Sequence, residues 1–328
     1  MMLPDPRTNL SLDDAKTAFA AILDGKCDAD EIKAFLVELA ERTETATEIM
    51  AAATEMRARM VAVEAPANAI DVCGTGGDGS HSLNISTATA LVVAACDIPM
   101  AKHGNRAASS KSGAADTLEA LGLDLAKAAT NGEESLREIG IAFFFAPNHH
   151  PALGSLAPIR KEIGRRTIFN LLGPLCNPAK VKRQLIGVAS PDLVETYAQA
   201  AAGLGYEKAM IVSGEEGLDE LSISGPSKVA MIEGGQIAYS VIAPEDVGLK
   251  RHDANAIKGG NAHFNAAALR QLLLGEKSAY RDAVLLNSAG ALLVAEEVQS
   301  WEDGVEEAAE AIDKGLANAL LNCWIANQ

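Results

Sequence analysis

A glycine-rich hexapeptide, Gly74-Thr75-Gly76-Gly77-Asp78-Gly79, is followed closely by Asn84-Ile85-Ser86-Thr87 and then by Lys102-His103-Gly104-Asn105-Arg106. Each polar cluster stands where an apolar run (69–73, 88–95 or 98–101) meets a loop. In an alternating strand and helix pattern those positions fall at one edge of a parallel sheet, the edge at which open α/β sheets bind ligands.

Glycines at 74, 76, 77 and 79 remove side chains, so backbone N–H groups can approach a phosphate, and a helix beginning near Ser86 adds its positive N-terminal end. The spacing Gly74, Gly76, Gly79 also matches a dinucleotide-binding fingerprint, which alone is weak. Asp78 would repel a bare pyrophosphate unless a divalent cation or ribose hydroxyl lay between them. The strand ending at Lys102 carries Lys, His, Asn and Arg where a ribose-binding acid is expected, and no G-K-[ST] follows the loop. Taken singly, the glycines also fit a tight turn, Asn84, Ser86 and Thr87 a helix cap, and Lys102, Arg106 and Lys111 a solvated basic face. Against a net charge of −16, a local gathering of positive charge favours a phosphate-rich ligand.

The same acidic balance argues against nucleic-acid partners, which need many Lys and Arg on one surface. A chain of 328 residues with 48% apolar but only 4% aromatic content suits helices packed on a buried parallel sheet, as one large or two smaller domains. Five scattered cysteines (27, 73, 96, 176, 323) without C-x-x-C spacing indicate neither disulfides nor zinc, so the chain reads as cytosolic. No apolar run reaches membrane-spanning length and the start lacks a signal region, so no membrane partner is expected.

Residues 1–65 are helical in pattern: Ser11 can cap one helix, Asp28 or Asp30 a second, and a third runs from about 44 to 60, where Met56 and Met60 read as core filler. The boundary to an α/β domain over 66–328 falls near residue 65. Strands are expected at 69–73, 98–102, 141–146, 184–189 and 208–213, with short strands around 221–242. Helices are expected at 86–96, 112–121, 133–139, 152–163, 192–203 and through 264–326. Gly217-Leu218-Asp219-Glu220-Leu221 sets two carboxylates in a bent loop after a strand, which fits either a solvated acidic turn or a Mg²⁺ site. Arg160, Lys161, Arg165 and Arg166 are either surface charges or a carboxylate-binding group.

The stretch 71–116, followed by Phe145-Ala146-Pro147, His150-Pro151-Ala152 and the run Arg166-Thr167-Ile168-Phe169-Asn170-Leu171-Leu172-Gly173-Pro174-Leu175-Cys176-Asn177-Pro178, resembles the anthranilate phosphoribosyltransferase family over nearly the whole chain. The resemblance implies a small helical domain, in which the N-terminal helices are joined by part of 150–180, beside a mainly parallel sheet flanked by helices, as in nucleoside phosphorylases and phosphoribosyltransferases. It implies transfer of the phosphoribosyl group of phosphoribosyl pyrophosphate to anthranilate in tryptophan biosynthesis, with Mg²⁺ as cofactor, by a homodimer. The donor would lie on Gly74, Thr75, Gly76, Gly77, Asp78, Ser82, Asn84, Ile85, Ser86, Thr87, Lys102, His103, Gly104, Asn105, Arg106, Ala107, Ala108, Ser109, Ser110 and Ala114. Anthranilate would meet Gly74, Asn105, His150 and Arg160, and the metal Ser86, Asp219 and Glu220. No residue is implied as an acid, a base or a covalent nucleophile.

Two departures stand out. Gly113-Ala114-Ala115-Asp116 has Ala114 where the family often has Ser, which removes a hydroxyl contact to the donor, and Cys96-Asp97 replaces a Gly-containing helix end, which reads as a local packing change. A pyrimidine-nucleoside phosphorylase, a nicotinamide-dependent oxidoreductase and a non-catalytic nucleic-acid-binding relative remain as rival readings.

Overall fold

The computed structural model describes residues 3–107 and 111–327. Three helices open the chain: α1 (Leu12–Leu23), α2 (Ala29–Arg42) and α3 (Ala46–Arg59). Each starts where a short polar side chain accepts a bond from an otherwise orphaned N–H, Ser11 from Asp14, Asp28 from Asp30, and Thr45 from Glu48 in a reciprocal capping box.

The rest alternates strand and helix. Its elements are β1 (Ile70–Gly74), α4 (Ile85–Ala94), β2 (Met100–Gly104), α5 (Ala114–Leu121), α6 (Leu125–Glu138), β3 (Ile141–Phe145), the short α7 (Ala146–His149), α8 (Ala157–Ile163), β4 (Arg183–Gly187), α9 (Leu193–Gly203) and β5 (Lys208–Gly214). A hairpin of β6 (Ser227–Glu233) and β7 (Gln236–Ile242) follows, then α10 (Ala262–Leu273), α11 (Ala279–Ala295), α12 (Trp301–Asp313) and α13 (Leu316–Ala326). The sheet order is β3-β2-β1-β4-β5-β6-β7, parallel through β5 and antiparallel beyond it. Gly234 and Gly235, both with positive φ, close the β6–β7 turn in the backbone that such hairpins favour.

Side chains of the central strands alternate between two cores, as a pleated sheet demands. Leu185, Met210 and Val212 face α4 and α10 to α13, whereas Ile186, Ala209 and Ile211 face α9 and the N-terminal helices. The second core also takes in Leu156, Ile168, Phe169, Leu171, Leu172 and Leu175, so the 150–180 segment packs with α1 to α3.

Two elements differ from the sequence expectation. Helix α6 begins at Leu125, capped by Asp124, rather than near 133. The weak helix formers Thr130, Asn131 and Gly132 hide its first turns, and Gly132 is there because a β-carbon would press on the Phe144 ring. At the end of α4, Asp97 adopts φ +62°, so the replaced glycine concerns backbone conformation rather than packing.

Candidate active site

The C-terminal ends of three neighbouring parallel strands are glycines: Gly104 on β2, Gly74 on β1 and Gly187 on β4, the last two in register. A β-carbon at Gly187 would collide with the Asp219 backbone carbonyl, and one at Gly74 with the Asp219 carboxylate. These bare strand ends let the 214–221 loop lie directly over the sheet. Asn287 on α11 clamps that loop, its side chain accepting from Leu221 N–H at 3.0 Å and donating to Leu221 C=O at 2.9 Å.

The clamped loop meets both the glycine loop and the first turn of α4. Gly76 N–H donates to Asp219 Oδ2 at 2.7 Å, and Ser86 N–H, in the first turn of α4, donates to Glu220 Oε1 at 2.9 Å. Gly76, Gly77 and Gly79 all have φ between +70° and +80°, a conformation that only glycine adopts freely. The turn they form places Asp78 beside the pair.

Three acids thus share one corner. Burial, then the charge of Asp78, pushes the Asp219 carboxyl above its usual range; burial, then Asp219 and Asp78, drives Glu220 well above it. Glu220 Oε2 and Asp78 Oδ2 are buried with no hydrogen-bond partner among the described residues. Such under-neutralised carboxylates fit a cation. Among the described residues no three acids, histidines or cysteines form a closed metal cage. Mg²⁺ is satisfied by one or two carboxylates with water and substrate oxygens, so the open corner suits it. Lys102, almost wholly buried, donates from Nζ to Val72 C=O at 2.7 Å and lines the same cavity.

That cavity encloses about 380 Å³. Of the sequence-predicted residues it is lined by Gly74, Thr75, Gly76, Gly77, Asp78, Ser82, Asn84, Ser86, Lys102, His103, Gly104, Asn105, Arg106, Ala107, Ala114, His150, Arg160, Asp219 and Glu220. Ile85 and Thr87 do not line it: both side chains are buried within α4, Ile85 in the core. Ala108, Ser109 and Ser110 lie outside the described residues.

Several of the lining residues do something other than the sequence suggested. Asn84 precedes α4 yet makes no side-chain cap; its Oδ1 accepts from Thr117 at 2.5 Å and from Asn265 at 2.8 Å, tying α4 to α5 and α10. Arg106 pairs with Asp116 and Glu119 on α5 and stacks over Phe145, so its charge is already matched. Asp116 also accepts from Ala107 N–H and Gly113 N–H, fixing the rim on which Ala114 sits.

Another part of the cavity has a mainly apolar lining. Met56 of α3, Leu153, Phe169, Asn170 and Pro174 line it, none of them singled out in the sequence as a site residue. At helical spacing Met56 reads only as core, and it is core as well as wall, being nearly wholly buried. His103 and His150 meet edge to face, centroids 5.3 Å apart, each with a buried Nε2 lacking a partner among the described residues. Burial first, then a neighbouring histidine (His150 for His103, His149 for His150), lowers His103 to about 3 and His150 to about 4, so both rings are neutral near pH 7.

The basic cluster separates cleanly. Arg165 pairs with Glu41 and Arg166 with the buried Glu44, each at 2.9 Å, and Lys33 takes Glu162. Arg160 alone of the cluster lines the cavity, with no carboxylate partner among the described residues, and burial lowers its pKa. It is a half-buried cation lining the cavity that Phe169 also lines.

A glycine-ended strand edge carrying a buried carboxylate pair, beside a helical domain, defines a class. Residues 66–318 match the α/β domain of a glycosyl transferase family, and residues 6–60 match that family's helical bundle domain. Within it the chain belongs to the anthranilate phosphoribosyltransferase family. It is 60% identical to the anthranilate phosphoribosyltransferase of Novosphingobium aromaticivorans, over 99% of this chain and 98% of that one. It is 59% identical to that of Sphingopyxis alaskensis, over 98% and 97%. The structure of the Thermus thermophilus enzyme superposes with a TM-score of 0.92 at 40% identity, covering 98% of this chain and 96% of that one. That of the Saccharomyces cerevisiae enzyme in complex with PRPP and Mg superposes with a TM-score of 0.88 at 30% identity, covering 97% and 93%.

Proposed function

We propose that this protein transfers the 5-phosphoribosyl group of phosphoribosyl pyrophosphate to the amine of anthranilate, giving N-(5-phosphoribosyl)anthranilate and pyrophosphate, a step of tryptophan biosynthesis. The observation that carries the reading is the joining of loop 74–79 and α4 to Asp219 and Glu220 by two backbone N–H bonds, in a cavity also lined by Arg160, which has no carboxylate partner among the described residues.

The donor's diphosphate lies along the 74–79 amides and the first turn of α4, where N–H groups and the helix dipole favour anions. Asp219, Glu220 and Ser86 are the residues that would hold Mg²⁺, and Asp78 adds negative charge beside that pair. Mg²⁺ supplies charge neutralisation on the departing pyrophosphate. Lys102 adds a fixed positive charge on the same side, so negative charge that develops at the leaving group meets preorganised partners.

Arg160 and Asn105 hold the anthranilate carboxylate, and the flat wall of Phe169, Met56 and Pro174 takes the ring. An aryl amine is neutral at pH 7 and needs placement more than deprotonation. The two histidines, neutral and unpartnered at Nε2, suit hydrogen bonding to acceptor rather than strong base catalysis. With Ala114 in place of a hydroxyl, the donor loses one contact on the α5 rim. The working unit is a homodimer in the cytoplasm.

Purified protein mixed with phosphoribosyl pyrophosphate, Mg²⁺ and anthranilate should consume anthranilate fluorescence in step with pyrophosphate release. Absence of turnover, or phosphorolysis of thymidine or uridine in its place, rejects the reading.

A further inference from the structure

Asp71, the second residue of β1, has no solvent exposure, a position that packing alone would give to an apolar residue. Its two oxygens collect an unusual number of donors. Oδ1 accepts from Val72 N–H at 2.8 Å and His103 N–H at 3.2 Å. Oδ2 accepts from Asn177 Nδ2 at 2.8 Å, Gln184 Nε2 at 3.1 Å and the Cys73 thiol at 3.4 Å.

The donors are themselves anchored. Asn177 Nδ2 also donates to Ala101 C=O and Gln184 Nε2 to Pro174 C=O, while Tyr206 Oη donates to Gln184 Oε1 and receives a bond from Arg57 of α3. The hub therefore pins β2, β4 and the 174–177 turn to one point under the cavity floor. Lys102, on the strand so pinned, donates to Val72 C=O, the residue next to Asp71, and has no carboxylate in direct contact among the described residues. Burial pushes the Asp71 carboxyl up, and the charge of Lys102 is foremost among the influences opposing it.

We propose that Asp71 is a positioning residue for donor binding: from beneath the sheet its carboxylate fixes the end of β2 and supplies the counter-charge that holds the Lys102 ammonium in place against the diphosphate. This rests on the phosphoribosyl-transfer reading. The carboxylate touches neither substrate, and it acts through Lys102 and not through Arg160.

The test is a double-mutant cycle of Asp71→Asn and Lys102→Met, because residues acting as a unit are non-additive. Asp71→Asn should raise KM for phosphoribosyl pyrophosphate about tenfold, the scale of losing one charge-assisted contact, while KM for anthranilate stays within about twofold. In the Lys102→Met background the same change should add less than about threefold. Equal factors in both backgrounds, or an equal rise in KM for anthranilate, would show a merely structural role and overturn the proposal. Should Asp71→Asn not fold, Gln184→Met removes one donor but keeps the charge. It should raise KM for the donor about threefold with Lys102 present and leave it unchanged without; equal factors there overturn the proposal as well. Wild-type protein that fails to turn over faults the functional reading instead, and the same cycle read by calorimetric binding of phosphoribosyl pyrophosphate still judges Asp71.

Discussion

The two walls of the cavity are built by different means. The wall proposed for the phosphates is made largely of backbone: left-handed glycines, strand ends stripped of β-carbons, a helix N-terminus, and carboxylates seated on their N–H groups. The acceptor wall is made of side chains from separate parts of the chain, Met56 of α3, His150, Arg160 and Phe169. The strand-end glycines of the first wall admit no β-carbon and its loop glycines need a left-handed backbone, so most of its shape is set by backbone and only a few side chains. A wall of side chains can be retuned residue by residue.

The largest effect expected from that contrast is on the phosphate side. Asp219→Ala with Glu220→Ala should lower kcat/KM by at least about 1,000-fold and abolish its dependence on added Mg²⁺, since both the cation and the loop contacts go. Retained Mg²⁺-dependent turnover would break the distinction between the walls. On the acceptor side Arg160→Ala should raise KM for anthranilate by about 10- to 100-fold, the range of one charge-assisted contact, with KM for the donor little changed. Arg166→Ala serves as the sharpening control. It strands the buried Glu44 carboxylate and should lower the urea-unfolding stability by about 1–3 kcal/mol while leaving KM for anthranilate alone.

How far each wall was legible in the sequence follows from its construction. The glycine loop, the Asp219-Glu220 pair and the Lys102 cluster are contiguous motifs, each with a bland reading when taken alone, and it is their combination and the family resemblance that mark the site, while the alternation around them sets out the parallel sheet. Gly187 was missed although it matters as much as Gly74, because one glycine at a strand end looks like any other until the 219 loop is seen above it. Met56 and Phe169 were missed as site residues because apolar side chains at core spacing carry no mark of facing a ligand. Arg160 could not be told from Arg165 and Arg166 by pattern, since the discriminating fact is which of them finds a glutamate on another helix.

Smaller effects probe the neutral histidines of the acceptor wall. His150 is held near 4, below its unfolded value of 6.5, so the unfolded chain takes up the proton first as pH falls. Its neutral burial is tolerated fully above about pH 6.5, and stability is lost from there down toward pH 4. His150→Leu should therefore lose less stability than wild type between pH 7 and pH 5, by about 1–2 kcal/mol in urea titrations, with the acidic cluster contributing equally to both proteins. An equal loss in the two would place His150 in water. Smallest of all, Ala114→Ser should lower KM for the donor by about two- to fivefold if its hydroxyl reaches the phosphates, with no change toward anthranilate.

The central claim is that exposed amides and a carboxylate-held cation grip the diphosphate together. Calorimetric titration of phosphoribosyl pyrophosphate into the protein, with Mg²⁺ and with chelator, tests it most directly. Tight binding with Mg²⁺, at least about tenfold weaker binding in chelator, and loss of that difference in the Asp219→Ala, Glu220→Ala protein are the predicted results. Equal affinity with and without the metal in the wild-type protein would contradict it.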